Sequence, residues 1–354
     1  MCGDHHMKIG IYALAKNEES HAIDWAESTD GADVVIVTDT GSTDSTPERL
    51  RSCGITVMTG NVIPWRWDDA HNLSLYHLPD DVDVCVRLDL DERLQPGWRE
   101  AIERAWTGNV NNLRYRYVWS WKSPGVPGLV FLSDRVHARR GFRWSAPTHE
   151  GLVCWSGEKV QAVADGLEIH HHRTPGKRHK TDLELLEVAV REAPHDARAH
   201  WYLAREQEWV GHPAAAATFA HYLGLPGTPT ERSYAYRALY RLTQDERHLH
   251  RAAYEAKAEP DAWQQLAWVH YQRQEWVECL TFAEAAMQAT GESTHATDPD
   301  AVTKAYDLAA VAAWNLGKHP QALQYAREAV RRCPDDPRLV KNVEQIEAHE
   351  QHAA

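Results

Sequence analysis

Short apolar runs alternate with amphipathic stretches over the first half of the chain, and this alternation limits the fold more than any other feature. "KIGIYAL" (residues 8–14), "DVVIVT" (33–38) and "ITVMT" (55–59) read as strands rich in β-branched residues. Between them, "EESHAIDWAEST" and "STPERLRSCG" read as helices, the second with Ser42 or Ser45 as N-cap and Gly54 at its end. The order β-α-β-α-β predicts a largely parallel sheet in an α/β domain. "VDVCVRLD" (82–89) is then a fourth strand, and it stops at a run of carboxylates.

From about residue 112 the pattern changes. "NLRYRYVWSW" and "LVFLSDRVHA", separated by the turn-rich "KSPGVPG", predict an antiparallel hairpin that extends the sheet, and "GLEIHHH" (166–172) predicts a last strand. After "RTPGKR", a linker by composition, the sequence is helical almost throughout. At 354 residues two domains are expected, 1–176 and 177–354. The second contains a degenerate repeat. Trp263, Leu266, Ala267, His270, Cys279, Ala283 and Ala286 fit tetratricopeptide spacing, as do Tyr306, Ala309, Ala310, Ala313, Ala322, Ala326, Ala329 and Pro334. A weaker unit is anchored by Leu203, Ala204, Gly211, Ala216 and Ala220. Small residues at these positions let paired helices approach closely, which predicts an all-α, tetratricopeptide-like domain.

Composition narrows the function. A formal charge of −13 argues against a sequence-independent grip on nucleic acid, which needs a basic surface, although Lys177, Arg178, His179 and Lys180 form a local basic run. The six cysteines, Cys2, Cys53, Cys85, Cys154, Cys279 and Cys333, form no C-x-x-C pair, so reduced thiols are expected rather than a disulfide framework or a cysteine zinc site. No apolar run approaches the roughly 20 residues of a membrane span, and "MCGDHHMKIG" has no leader pattern, so a cytoplasmic protein without a membrane partner is expected.

Three successive strands end in polar clusters: "LAKNEES" with Lys16, Asn17 and Glu18, "VTDTGSTDST" with Asp39, Gly41 and Ser42, and "RLDLDERL" with Asp89, Asp91 and Glu92. In a parallel sheet these share the carboxyl edge, where open α/β folds bind ligands. If the fourth strand persists, Asp89 and Asp91 point to one face, while Glu92 begins the exit turn. Two such carboxylates suit a shared Mg2+ or Mn2+ that also holds substrate phosphates; a solvated acidic loop is the plain alternative. Asp39 is placed to accept hydrogen bonds from a nucleobase or ribose, and the Gly41–Ser42 turn exposes backbone donors. A β-to-α turn with a helix cap would use the same residues.

Together these clusters resemble glycosyltransferase family 2, nucleotide-sugar enzymes with a GT-A (Rossmann-like) mixed-sheet fold, over roughly residues 7–175. A branch of that family carries a tetratricopeptide tail. The resemblance implies that Ala13 and Leu14 line the base through their backbone, with Asn17 and Glu18 beside them and Asp39 on the base. It implies Asp89 near the ribose and first phosphate, and Asp91 on Mn2+ or Mg2+. "WRWDDAHNLSL" resembles a segment with Arg-Asn before a helix; here Asn72 is kept and His71 stands for the arginine. "RWSAPTHEGL" resembles the acceptor-side segment, which makes Glu150 the candidate base. The last strand often supplies a further metal ligand, His171 ahead of His170 or His172.

The resemblance implies an inverting, metal-dependent transferase using a nucleoside diphosphate sugar, in particular a UDP-sugar. Its acceptor would be a hydroxyl or thiol on a protein or peptide, since a helical-repeat groove suits extended peptides; the tail also leaves a homo-oligomer open. A glycan or a hydroxymethylated DNA base is the alternative acceptor. From other classes, a non-catalytic binding scaffold and a nucleotidyltransferase remain.

Overall fold

The computed structural model of the chain describes residues 6–173, 182–291 and 300–353. The expected boundary at 176/177, the basic run 177–180, Cys2 and most of the loop 289–300 lie outside these residues. The chain divides into two compact units, Met1–Ala189 and Val190–Ala354, an α/β unit followed by a helical one.

The first unit is built on eight strands: β1 (Ile9–Ala15), β2 (Val34–Asp39), β3 (Thr56–Thr59), β4 (Val84–Arg87), β5 (Glu92–Leu94), β6 (Asn112–Val118), β9 (Val130–Ala138) and β12 (Gln161–His171). Between β6 and β9 lies the small hairpin of β7 (Trp121–Ser123) and β8 (Val126–Pro127); β10 (Phe142–Ser145) and β11 (Gly151–Cys154) form another. The sheet order is β3-β2-β1-β4-β9-β6-β12-β5. β1 to β4 are mutually parallel, β9 runs against both neighbours, β12 is parallel to β6, and β5 returns antiparallel. Thus β1, β2, β4, β6 and β12 all end at one edge.

Helices α1 (Ala22–Ser28), α2 (Thr46–Ser52), α3 (Trp67–His77) and α4 (Trp98–Ala105) complete the unit. Its two cores follow from strand alternation: Ile9, Ile11 and Ala13 of β1 join one cluster with Trp25, Leu50 and Trp98, while Tyr12 joins another with Leu75, Phe142 and Trp144. Gly10 lets Leu78 and Val82 pack closely on β1, since a Cβ there would lie 3.0 Å from Leu78.

One expectation fails here. The fourth strand ends at Arg87 rather than at residue 89, so Asp89 and Asp91 sit in a turn and face different partners. Glu92 opens β5 instead of an exit turn.

The helical unit follows α5 (Leu183–Glu192). Its helices pair through short turns: α6 (Ala197–Trp209) with α7 (Ala215–Tyr222), α8 (Pro229–Thr243) with α9 (Arg247–Glu255), α10 (Pro260–Gln272) with α11 (Trp276–Gln288), and α12 (Ala301–Asn315) with α13 (His319–Arg332); α14 (Pro337–Ala353) packs on α13. The expected small residues Ala267, Cys279, Ala283, Ala309, Ala310, Ala313, Ala322 and Ala326 form one alanine-rich core. Ala220 is exposed, however, and Phe219 takes the buried place beside it. The α8–α9 pair was not legible as a repeat.

Candidate active site

Strand direction assembles the site. The parallel ends of β1, β2 and β4 bring the loops after Ala15, Asp39 and Arg87 to one edge, and β12 delivers His171 there. β5 pairs with β12 so that Glu92 lies opposite His171, which sets the preceding Asp91 against the imidazole. His171 Nε2 is 3.3 Å from Asp91 Oδ2. On the other side of the ring, Nδ1 lies 2.9 Å from the Trp119 carbonyl, and the Trp119 indole stacks on the imidazole at 4.5 Å. With Nδ1–H donating to that carbonyl, Nε2 faces Asp91; burial opposes the imidazole charge, but the Asp91 carboxylate raises its pKa, so a metal at Nε2 would displace a proton. Metal-binding histidines are held in this way. His170 instead pairs with Glu168 at 2.6 Å.

Among the described residues no group of three or more His, Cys, Asp or Glu side chains forms a ready-made metal cage. Asp91 and His171 still fit Mg2+ or Mn2+, ions that commonly take one or two protein ligands and complete their shell with water and substrate phosphate. Trp119 carries the outer contact that fixes His171, and nothing in its sequence context signalled that role.

Asp89 points elsewhere. Arg87 contacts both of its oxygens at 3.0 Å, and Arg135 reaches Oδ2 at 3.1 Å. Burial opposes its charge, but the two guanidinium groups prevail and hold its pKa down to about 2. Glu92 is 1% exposed; it receives Arg135 at 2.6 Å and the Tyr117 hydroxyl, and its own Oε2 accepts the Asp89 N–H at 2.9 Å. Burial pushes its carboxyl upward, and nearby Asp89 adds to the rise despite Arg135. Of Arg87 and Arg135, both missed by sequence reasoning, only Arg87 had a signal, a lone charge closing the apolar run "VCVRL"; Arg135 stands among Ser133, Asp134 and His137.

The first two loops are tied chiefly to each other. Asn17, at φ +58°, accepts Thr43 N–H at 2.7 Å through Oδ1 and donates its own N–H to Ser42 Oγ at 2.9 Å. Glu18 N–H donates to Thr46 Oγ1 at 2.8 Å. Asp39, 8% exposed, accepts Gly41 and Ser42 N–H groups at 3.2 Å, closing its own turn. These residues therefore set the loop shape, and Asp39 keeps carboxylate capacity for a ligand donor. Ala13 does not fit its expected place along a base: it is fully buried and its carbonyl accepts Ser74 Oγ at 2.8 Å. Leu14 is half-buried one residue further on.

Glu150 lies in the 146–150 loop between β10 and β11, where Ala146 (φ +88°) and His149 (φ +50°) both hold left-handed backbone. Its Oε1 is 3.3 Å from Arg87 NH1 and 3.3 Å from His71 Nε2. Burial would raise its pKa, but His71 and Arg87 hold it below the usual carboxylate value. Arg87 therefore bridges Asp89 and Glu150, with its guanidinium 4.8 Å from the Trp144 ring. Asn72 clamps α3 to β10: Nδ2 donates to the Trp144 carbonyl and Oδ1 accepts the Trp144 N–H, both at 2.9 Å. Those two bonds fix the amide and leave its second Nδ2–H for a ligand.

No protein-family model matches the sequence, and no curated protein matches it. Among solved structures the chain is similar to MamA, at 18% identity over 42% of this chain and 85% of that one, with a TM-score of 0.35. It is similar to YrrB, a TPR protein with an unusual peptide-binding site, at 16% identity over 48% and 85%, with a TM-score of 0.39. It is also similar to glucosyl-3-phosphoglycerate synthase from Mycobacterium tuberculosis, solved with Mn2+, uridine-diphosphate-glucose and glycerol 3-phosphate. That match has 25% identity over 31% of this chain and 44% of the synthase, with a TM-score of 0.28. Each likeness is partial, so the site stands on the geometry above.

Proposed function

We propose that the chain is an inverting, metal-dependent glycosyltransferase of GT-A type that takes a nucleoside diphosphate sugar, in particular a UDP-sugar, and transfers the sugar to a hydroxyl or thiol. The observation that carries this reading is the Asp91–His171 pair at the carboxyl edge, with His171 Nδ1 anchored on Trp119 so that Nε2 faces Asp91. Asp91 and His171 would hold Mn2+ or Mg2+. When bound, the ion stabilises the charge that develops on the departing diphosphate.

The other roles belong to the chain's own residues. Asp39 accepts from the base or ribose, within a loop pre-shaped by Asn17 and Ser42. Asp89, pinned by Arg87 and Arg135, faces the donor as a fixed negative charge, and Glu92 and Tyr117 keep Arg135 in place. Glu150 is the base. The His71 contact and the Arg87 charge keep it ionised at neutral pH, so it can accept the acceptor proton as the nucleophile attacks the anomeric carbon.

A protein or peptide acceptor is supported by an open groove of about 520 Å³ in the helical unit, lined by Trp209, Tyr234, Tyr240, Arg241 and Trp268. The same groove supports the second reading, a peptide-binding scaffold without catalysis. No helix among the described residues is long and apolar enough to cross a membrane.

Two measurements separate these readings. UDP is expected to raise the melting temperature only with Mn2+ or Mg2+, and a panel of UDP-sugars is expected to release UDP. No stabilisation by any nucleoside diphosphate leaves the scaffold reading, while consumption of triphosphates with pyrophosphate release points to a nucleotidyltransferase.

A further inference from the structure

His71 is the least expected neighbour of Glu150. It is fully buried on α3, its ring lies between Trp67 at 6.2 Å and Trp144 at 5.4 Å, and Nδ1 has no hydrogen-bond partner. Burial, reinforced by Arg87, keeps the imidazole neutral, so it can offer one N–H without adding a charge. Nε2 stands 3.3 Å from Glu150 Oε1, the oxygen that Arg87 also approaches. This contact is long for a hydrogen bond and falls outside good bonding geometry, as ligand-free catalytic contacts often do before substrate tightens them. Two donor groups converge on one oxygen, and the His71 and Arg87 contacts are both to Oε1 rather than Oε2.

We propose that His71 is a positioning residue: with Arg87 it anchors Glu150 Oε1, so that Oε2 is the atom presented to the acceptor. This rests on the assignment of Glu150 as the base. The loop that carries Glu150 has two non-glycine residues in left-handed backbone, a conformation that needs outside support. Some of that support comes from α3, because Trp67 N–H donates to the Pro147 carbonyl at 2.9 Å. One helix thus holds both the loop and its carboxylate. The titratable and charged groups facing Glu150 are the Arg87 guanidinium from β4 and the neutral His71 imidazole from α3, with Asp89 on the far side of Arg87.

The test compares His71→Phe, which keeps a ring between the tryptophans but has no donor, with His71→Gln, whose amide N–H can replace Nε2–H. The first readout needs no turnover: the Glu150 carboxyl is followed by carbon NMR of glutamate-labelled full-length protein, assigned by its loss in Glu150→Gln. Its midpoint is expected to rise in His71→Phe and to return toward wild type in His71→Gln. The second readout is kinetic. His71→Phe is expected to lose about tenfold to a hundredfold in kcat with little change in donor KM, and to move the acidic limb of the rate profile to higher pH. An unchanged Glu150 midpoint in a folded His71→Phe overturns the proposal. A raised midpoint in a protein that turns over no nucleotide sugar upholds the anchoring and overturns the glycosyltransferase reading instead.

Discussion

Each unit buries an arginine against carboxylates, and the two burials differ in kind. In the helical unit Arg237 and Asp261, 0% and 2% exposed, meet at 2.9 Å inside the helix packing. In the α/β unit Arg87 and Arg135 are shared among Asp89, Glu92 and Glu150, and that network reaches an edge where Asp91 remains 28% exposed. A sealed pair answers only to packing. A shared network that reaches a part-exposed sheet edge holds charges where a ligand can meet them, a condition for chemistry that stability alone would not favour.

The largest effect expected is at the open end. Asp91→Ala should lower turnover on the order of 10³-fold, since it removes one of two protein ligands for the ion that stabilises the leaving group. The melting temperature should barely move, because a part-exposed turn carboxylate contributes little packing. Retained, metal-dependent turnover would refute the metal role and break the contrast between the units.

The sealed pair should behave in the opposite way. Asp261→Ala removes the carboxylate that meets buried Arg237 at 2.9 Å, with Glu259 left as a further negative charge nearby, and is expected to destabilise the helical unit by about 3 kcal/mol, read as faster amide exchange across α8 to α10. Nucleotide binding should survive. The double change Arg237→Met with Asp261→Leu should recover most of the loss; if it does not, the pair has a role beyond packing.

How far this contrast was legible in the sequence depends on range. Element order and the three polar strand ends follow from local patterns; the contact of Asp91 with His171 does not, since it depends on β5 returning antiparallel beside β12, and only the family resemblance pointed to His171. The end of β4 at Arg87 was not legible, because "VRLD" continues the apolar alternation while Arg135, 46 residues from Asp89, holds that carboxylate in the turn and, with Tyr117, anchors Glu92 at the start of β5. The Asn72 clamp was hidden for a similar reason, since Trp144 lies 72 residues on. The α8–α9 pair was hidden by tyrosines 234, 236 and 240, which mask the alanine spacing of Ala235 and Ala238.

Acid should separate the units next. His137 is fully buried, its Nδ1–H donating to the Ala138 carbonyl and its Nε2 accepting from Tyr12, each at 2.8 Å. Burial, only partly offset by the Ala138 contact, lowers its pKa from 6.5 to about 4. The folded state therefore disfavours the protonated form. The stability this contributes is complete above pH 6.5 and is lost as pH falls toward 4, roughly 3 kcal/mol in all. Urea titrations monitored in the α/β unit at pH 7 and 4.5 should show that loss, and His137→Gln should flatten it. An equal slope in the variant would assign the acid sensitivity elsewhere.

The smallest contrast concerns helix starts. Thr228 makes a capping box at the start of α8, its hydroxyl accepting Glu231 N–H while the Glu231 carboxylate accepts from Thr228. Ser45 occupies the same position before α2 but makes no cap; its hydroxyl donates to Glu19 in the neighbouring loop. One hydroxyl serves its own helix and the other ties the first two loops of the candidate site together. Thr228→Ala should accordingly cost about 1 kcal/mol, visible as faster exchange at the start of α8, and leave nucleotide affinity alone. Ser45→Ala removes no helix-capping bond, so α2 should exchange at its wild-type rate, while UDP with Mn2+ should bind a few-fold more weakly as the loops loosen. Calorimetry and amide exchange on both variants decide the point. If Ser45→Ala unravels α2 without touching UDP affinity, the loops are ordinary helix connections and Asp39 is not pre-shaped for a nucleotide.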